Sequence, residues 1–152
     1  MIYTLYPGNV NYVKITLWAK NKYTNARNVY FVWGGDQDPY VGTWYDEEGE
    51  TCASAPCGGN ACGSTIHASK WVTFVRSTSC GSIYNDVYGI IAPNAADFYI
   101  GGSSEPYIKT VSSTINPGEE YKYSFYLVSD AKGPTGQEWK PVQDVYTSLF
   151  GA

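Results

Sequence analysis

Three cysteines fall within eleven residues, Cys52, Cys57 and Cys62 in CASAPCGGNAC, and a fourth, Cys80, follows. Four sulfurs can hold a metal or form two disulfides. Structural zinc sites pair their ligands two to four residues apart, twice over. Here four, four and seventeen residues separate successive cysteines, so no second close pair exists. His67, the single histidine, could stand as a fourth zinc ligand beside three of them. A plant-type iron–sulfur loop needs a four-then-two spacing and fails at the second gap. An even count in a glycine-rich, core-poor loop reads instead as a disulfide framework, and sequence cannot choose among its three pairings. One bridge inside the loop and one to Cys80 is favoured, because Cys80 follows a strand-like run. Each bridge would stabilise by about 3 kcal/mol. Disulfides place the chain in an oxidising exterior.

The stretch DQDPYVGTWYDEEGE (36–50) is acidic. Asp36, Asp38, Asp46 and Glu48 could supply the hard oxygen ligands that calcium takes from a flexible loop. The plainer reading is a solvated acidic loop. No other cofactor is expected. A catalytic set is missing: His67 sits among small residues, and there is no Gly-x-Ser-x-Gly elbow, no His-Glu-x-x-His helix and no phosphate-cradling glycine loop. The chain is therefore not expected to be an enzyme.

The elements that must position these residues are strands. The 152 residues suit one domain with one core. Charged residues make up 16%, below the roughly 25% of ordinary globular chains. Fifteen tyrosines, five tryptophans and five phenylalanines favour sheets over helices. A net charge of −4 without Lys/Arg clusters argues against nucleic acid and anionic membranes. No run approaches the length of a membrane span, and no signal peptide is visible, so a leader has been removed or was never used.

YVKITLWAK (12–20) alternates with period two, placing Val13, Ile15, Leu17 and Ala19 on one face. Further strands are expected at 2–6, 28–33, 70–76, 82–92, 97–102, 106–114 and 115–129. The tail EWKPVQDVYTSLF fits a short helix face at Val142, Val145, Tyr146 and Leu149, yet Val-Tyr-Thr suits a strand; a strand is expected because nothing else is helical. The fold class is thus all-β: an antiparallel two-sheet sandwich, immunoglobulin-like or jelly-roll-like, over residues 1–152. The same alternation points Tyr12, Trp18, Tyr30 and Tyr126 outward, and Trp44 and Tyr45 join them from the acidic loop. Outward rings stack on sugars or cover a partner's apolar surface.

VKITLWAKNKYTNARNVYFVW resembles the paired strands of immunoglobulin-like modules in bacterial and archaeal adhesion and surface proteins. INPGEEYKYSFYL is similar to the Pro-Gly-Glu turn and following strand late in the same modules. The chain departs from that family by a long intervening stretch that holds every cysteine. The resemblance implies that residues 36–80 elaborate one end or edge of the sandwich.

These features imply a structural, non-catalytic subunit of an extracellular assembly: a surface filament, surface layer or virion coat. Its partners would be like subunits or other coat proteins, engaged through strand edges and the aromatic face. IYTLY (2–6) is a candidate for pairing with a neighbour's sheet edge. The alternative is a carbohydrate-binding module that stacks polysaccharide on exposed Trp and Tyr, with calcium assisting.

Overall fold

Alternating apolar residues commit most of the chain to extended backbone. The computed structural model describes residues 2–4, 11–34, 41–47, 49–53, 65–66, 70–76, 86–101 and 105–151. Thirteen strands and one helix run through them. The strands are β1 (Ile2–Thr4), β2 (Tyr12–Lys20), β3 (Arg27–Val29), β4 (Val32–Gly34), β5 (Val41–Asp46), β6 (Gly49–Ala53) and β7 (Thr65–Ile66). They continue with β8 (Trp71–Arg76), β9 (Asp86–Ile91), β10 (Ala95–Gly101), β11 (Glu105–Thr110), β12 (Ser113–Ile115) and β13 (Glu120–Ala131), before α1 (Lys140–Phe150).

Seven strands form one sheet in the order β1-β2-β13-β9-β8-β5-β6, and four form a second in the order β4-β11-β10-β7. β12 and β3 make a separate pair. Every described pairing is antiparallel. The period-two pattern gives the large sheet two faces. One buries Ile15, Leu17, Val72, Phe74, Ile90 and Phe125 against Phe98 and Ile108 of the four-stranded sheet. The other carries Trp71, Val87, Ile91 and Val128, which α1 covers with Val142 and Val145.

The helix corrects the all-β expectation and the strand expected for the tail. Val142, Val145, Tyr146 and Leu149 recur at helical spacing and meet one apolar patch, whereas period two would have put Val142 and Val145 on opposite faces. Pro141 sits in the first turn, where its missing N–H costs nothing, and the N–H of Gly151 closes the last turn on the Thr147 carbonyl at 2.9 Å. Lys140 adds an i,i+4 pair with Asp144 at 2.6 Å.

Three further expectations change. The acidic stretch is not a loop where it is described: β5 and β6 form a hairpin, and β5 pairs with β8, so this region supplies strands of the large sheet. The strand expected over 28–33 is split between β3 and β4, and that over 106–114 between β11 and β12. The switch lies at one spot. Buried Thr110 accepts the Phe31 N–H on its hydroxyl at 2.9 Å, and its own N–H bonds the Phe31 carbonyl at 3.0 Å.

One buried side chain fastens the turn after β2. Asn21 donates its amide to the carbonyls of Asn25 at 2.8 Å and Ile115 at 3.0 Å, and accepts the Tyr23 N–H at 2.9 Å. Its backbone also exchanges bonds with Gly118 and Glu119. This ties the Lys20–Glu120 end of the β2–β13 ladder to β12. Asn21→Asp would aim a carboxylate oxygen at two carbonyls. It is expected to cost more than Asn21→Ala, by about 3 kcal/mol in total, measured by urea unfolding.

α1 approaches the sheet where side chains are small. A Cβ at Gly89 would lie 2.4 Å from Val142 Cγ2. Thr73 stands opposite Gly89 in the ladder, and its buried hydroxyl has no hydrogen-bond partner among the described residues. Gly89→Ala is expected to destabilise by about 2 kcal/mol through overpacking. Adding Val142→Ala should recover part of that loss, so the double-mutant cycle must be clearly non-additive. Thr73→Val, which removes an unpaired buried hydroxyl at constant shape, is expected to leave the melting temperature unchanged or raise it.

Candidate interaction surface

α1 does not reach the whole outer face of the large sheet. It covers the part formed by β8, β9 and the later half of β13. Beyond it, no described element covers β2 and the first half of β13, which continue with a definite row order. Lys20 pairs with Glu120, Trp18 with Lys122, and Thr16 with Ile2 on one side and Ser124 on the other. Thr16 and Ser124 join their hydroxyls at 2.8 Å. Trp18 is 45% exposed and Ile2 60%. Phe150, at the end of α1, is also exposed and packs edge-on to Tyr126 with centroids 5.8 Å apart.

The Glu120 carboxylate lies diagonal to Trp18 across the ladder and meets Lys122 at 3.3 Å and Lys20 at 3.8 Å. The Trp18 indole, then Lys122, hold the Glu120 carboxyl below the usual glutamate range. Glu119 is lowered by accepting the Asn116 N–H at 2.7 Å, which closes the Pro117–Gly118 turn; Gly118 takes the positive φ of 83° there.

The residues expected to face outward divide. Trp18 and Tyr30 are exposed, and Lys109 lies over the Tyr30 ring at 5.4 Å. Tyr12 and Tyr126 do point to the outer face, but α1 half-buries both among Tyr146, Leu149 and their neighbours. Tyr45 is buried at 8% exposure beneath Trp139, 4.9 Å between ring centroids, which corrects its expected place in an open loop. Trp44 stands opposite Phe74 and Cys52 in the ladder. Thus the outer surface around Trp18 does not gather Tyr30, which lies beside the other sheet. Alternation identified sides of a strand, not which side a later helix would cover.

Of the four cysteines, Cys52 lies on β6; Cys57, Cys62 and Cys80 lie outside the described residues, as does His67. Of the calcium candidates, Asp46 ends β5 and is buried, while Asp36, Asp38 and Glu48 lie outside the described residues. Among the described residues no three His, Cys, Asp or Glu side chains gather as a metal site.

A second feature, invisible without strand order, adjoins the face around Trp18. β13 pairs with β2 from Glu120 to Val128, but with β9 only from Tyr126 to Ala131. The N–H of Ser129 bonds the Asn11 carbonyl, and the Glu119 carbonyl accepts from Asn21, so odd-numbered residues of β13 turn their backbone groups toward β2. Even-numbered Lys122 and Ser124 therefore face the β9 side. Continued two residues past the last pair, Tyr126 with Ile91, the register would set Pro93 opposite Ser124, and proline has no N–H for the ladder. The chain leaves instead through a tight turn, Ala95 N–H to Ala92 carbonyl at 3.0 Å, with Asn94 at φ 61°. What remains is a slot of about 420 Å³ beside the backbone of Lys122 and Ser124. Tyr121 and Tyr123 wall it on the inner side, their hydroxyls donating to the Val111 and Pro93 carbonyls; Tyr126 and Phe150 wall the outer side.

Neither a protein-family model nor a curated protein sequence matches the chain.

Burial pushes the Tyr88 phenol up to about 12 and raises Tyr123 as well. Both favour the neutral, folded form, so their contribution is complete below the ordinary tyrosine value of 10.0 and is lost as pH rises through the folded value. Glu119 and Glu120 act oppositely. Their contribution is present above the ordinary glutamate value of 4.5 and is lost as pH falls through their lowered values. Melting temperature should therefore fall at both extremes. In Tyr88→Phe the alkaline decline should be shallower, with phenolate absorbance at high pH reporting one fewer late-titrating group.

Proposed function

We propose that the chain is a non-catalytic structural subunit of an extracellular assembly, such as a surface filament, surface layer or virion coat. In this reading the two sheets form an immunoglobulin-like or jelly-roll-like sandwich, and the subunit meets like subunits or other coat proteins through strand edges and its aromatic face. The observation that carries it is the outer face beside α1, which no other described element covers. Ile2, Trp18 and Phe150 are all large, apolar and exposed there, where a free-standing sheet would carry polar residues. Cys52, Cys57, Cys62 and Cys80 would cross-link the elaboration as disulfides, suited to an exterior setting. Asp36, Asp38, Asp46 and Glu48 remain the residues through which calcium would act.

Interfaces draw most of their energy from a few large anchors, aromatic ones above all. Sedimentation over a range of concentrations is expected to reveal self-association, and Trp18→Ala should weaken it about tenfold or more, equivalent to about 1.4 kcal/mol. One observation favours the second reading, a carbohydrate-binding module: the Trp18 ring is exposed on the face of a sheet, as a stacking platform for a sugar requires. A protein that stays monomeric at every concentration, and that insoluble polysaccharide retains only while Trp18 is intact, would replace the first reading with this one.

A further inference from the structure

We propose that the slot beside β13 is a strand-acceptor site, filled in the assembly by residues 2–6 of a second copy of this chain. The inference rests on the assembly reading and names its contact. Two adjacent requirements define the occupant. The first is main-chain chemistry. Lys122 and Ser124 present N–H and C=O groups toward a position that Pro93 and the turn after it leave without a strand among the described residues. A polypeptide in extended form supplies donors and acceptors at the matching alternate spacing. The second is the pair of walls. Tyr121 and Tyr123 line one side and Tyr126 and Phe150 the other, so side chains on both faces of an incoming strand meet aromatic surface.

IYTLY meets both requirements. It carries no charge, no glycine and no proline, and each of its faces is apolar or hydroxyl-bearing. An uncharged strand suits a slot whose lining includes Lys122 and no carboxylate, since a buried acid or base would need its own partner. The length also fits. Five residues extend roughly 17 Å, the run of β13 from Glu120 to Ser124. In its own subunit β1 is lightly held: it pairs with β2 over three residues, and Ile2 stays 60% exposed. Moved into a neighbour's slot, the strand would place alternate side chains against Tyr126 and Phe150. Short strands with few buried contacts open at low free-energy cost, so the exchange needs no global unfolding.

The test uses the full chain. Lys122, whose side chain is exposed, is replaced by a benzophenone-bearing amino acid, and this protein is mixed with unmodified protein made in heavy nitrogen. Irradiation should join position 122 to a heavy peptide containing residues 2–6. In parallel, amide exchange at Lys122 and Ser124 should slow as concentration rises, and Thr4→Pro should weaken association about tenfold without changing the monomer's circular dichroism. An assembly that forms normally but cross-links position 122 elsewhere, or tolerates Thr4→Pro, overturns the slot assignment and leaves the assembly reading standing. Amides of Lys122 and Ser124 already protected in dilute monomer overturn it too, because the slot is then filled within one subunit. A chain that stays monomeric at all concentrations sinks both.

Discussion

Everything in the large sheet depends on covering both of its faces. β8, β9 and β13 are apolar on each side, so a single partner sheet leaves Trp71, Val87, Ile91 and Val128 in water. Burying such side chains is worth about 2 kcal/mol each, which makes an uncovered second face untenable. α1 supplies the cover, and it can do so only by lying close. Gly89 provides the room: where other strand positions would hold the helix off, its missing Cβ admits Val142. The helix then fixes what is left over. Among the described residues nothing else covers the far part of β2 and β13, and the exposed surface around Trp18 is what the helix leaves over.

Much of the sheet was legible in the sequence. Val13, Ile15 and Leu17 alternate cleanly, and the structure buries Ile15 and Leu17 in the inter-sheet core with Val13 packed beside them. Pro117-Gly118 reads as a turn and is one. The helix was hidden because its apolar spacing competes with a β-favouring Val-Tyr-Thr; only the patch it lands on, made by strands far away in sequence, decides the matter. β5 was hidden differently. Its last residue, Asp46, and the Glu47 that follows made the stretch look solvated, although Tyr45 goes under Trp139. The breaks at Tyr30 and Val111 carry no glycine or proline. They arise from a tertiary bond, the Thr110 hydroxyl taking the Phe31 N–H, which no local pattern announces.

The candidate site was legible only by side. Alternation placed Trp18 outward, but grouping it with Tyr30 required a strand order that sequence does not contain. The slot is further still from view. Pro93 reads as a strand breaker in any register; it becomes the maker of an open backbone edge only because the continued register would set it opposite Ser124. A breaker just past β9 thus exposes the first half of its neighbour, since β13 continues along β2 where β9 has turned away.

The β2–β13 ladder also sets how the molecule would bear a pull. Nine residue pairs, from Lys20–Glu120 to Tyr12–Val128, lie side by side. A load that drew the two strands past one another along their length would strain all of these bonds at once, as in a lap joint. A load drawing β1 away from β2 would instead peel three pairs one after another. Within a single subunit the margin yields early while the centre resists, so tension would be shed at the rim before it reached the core.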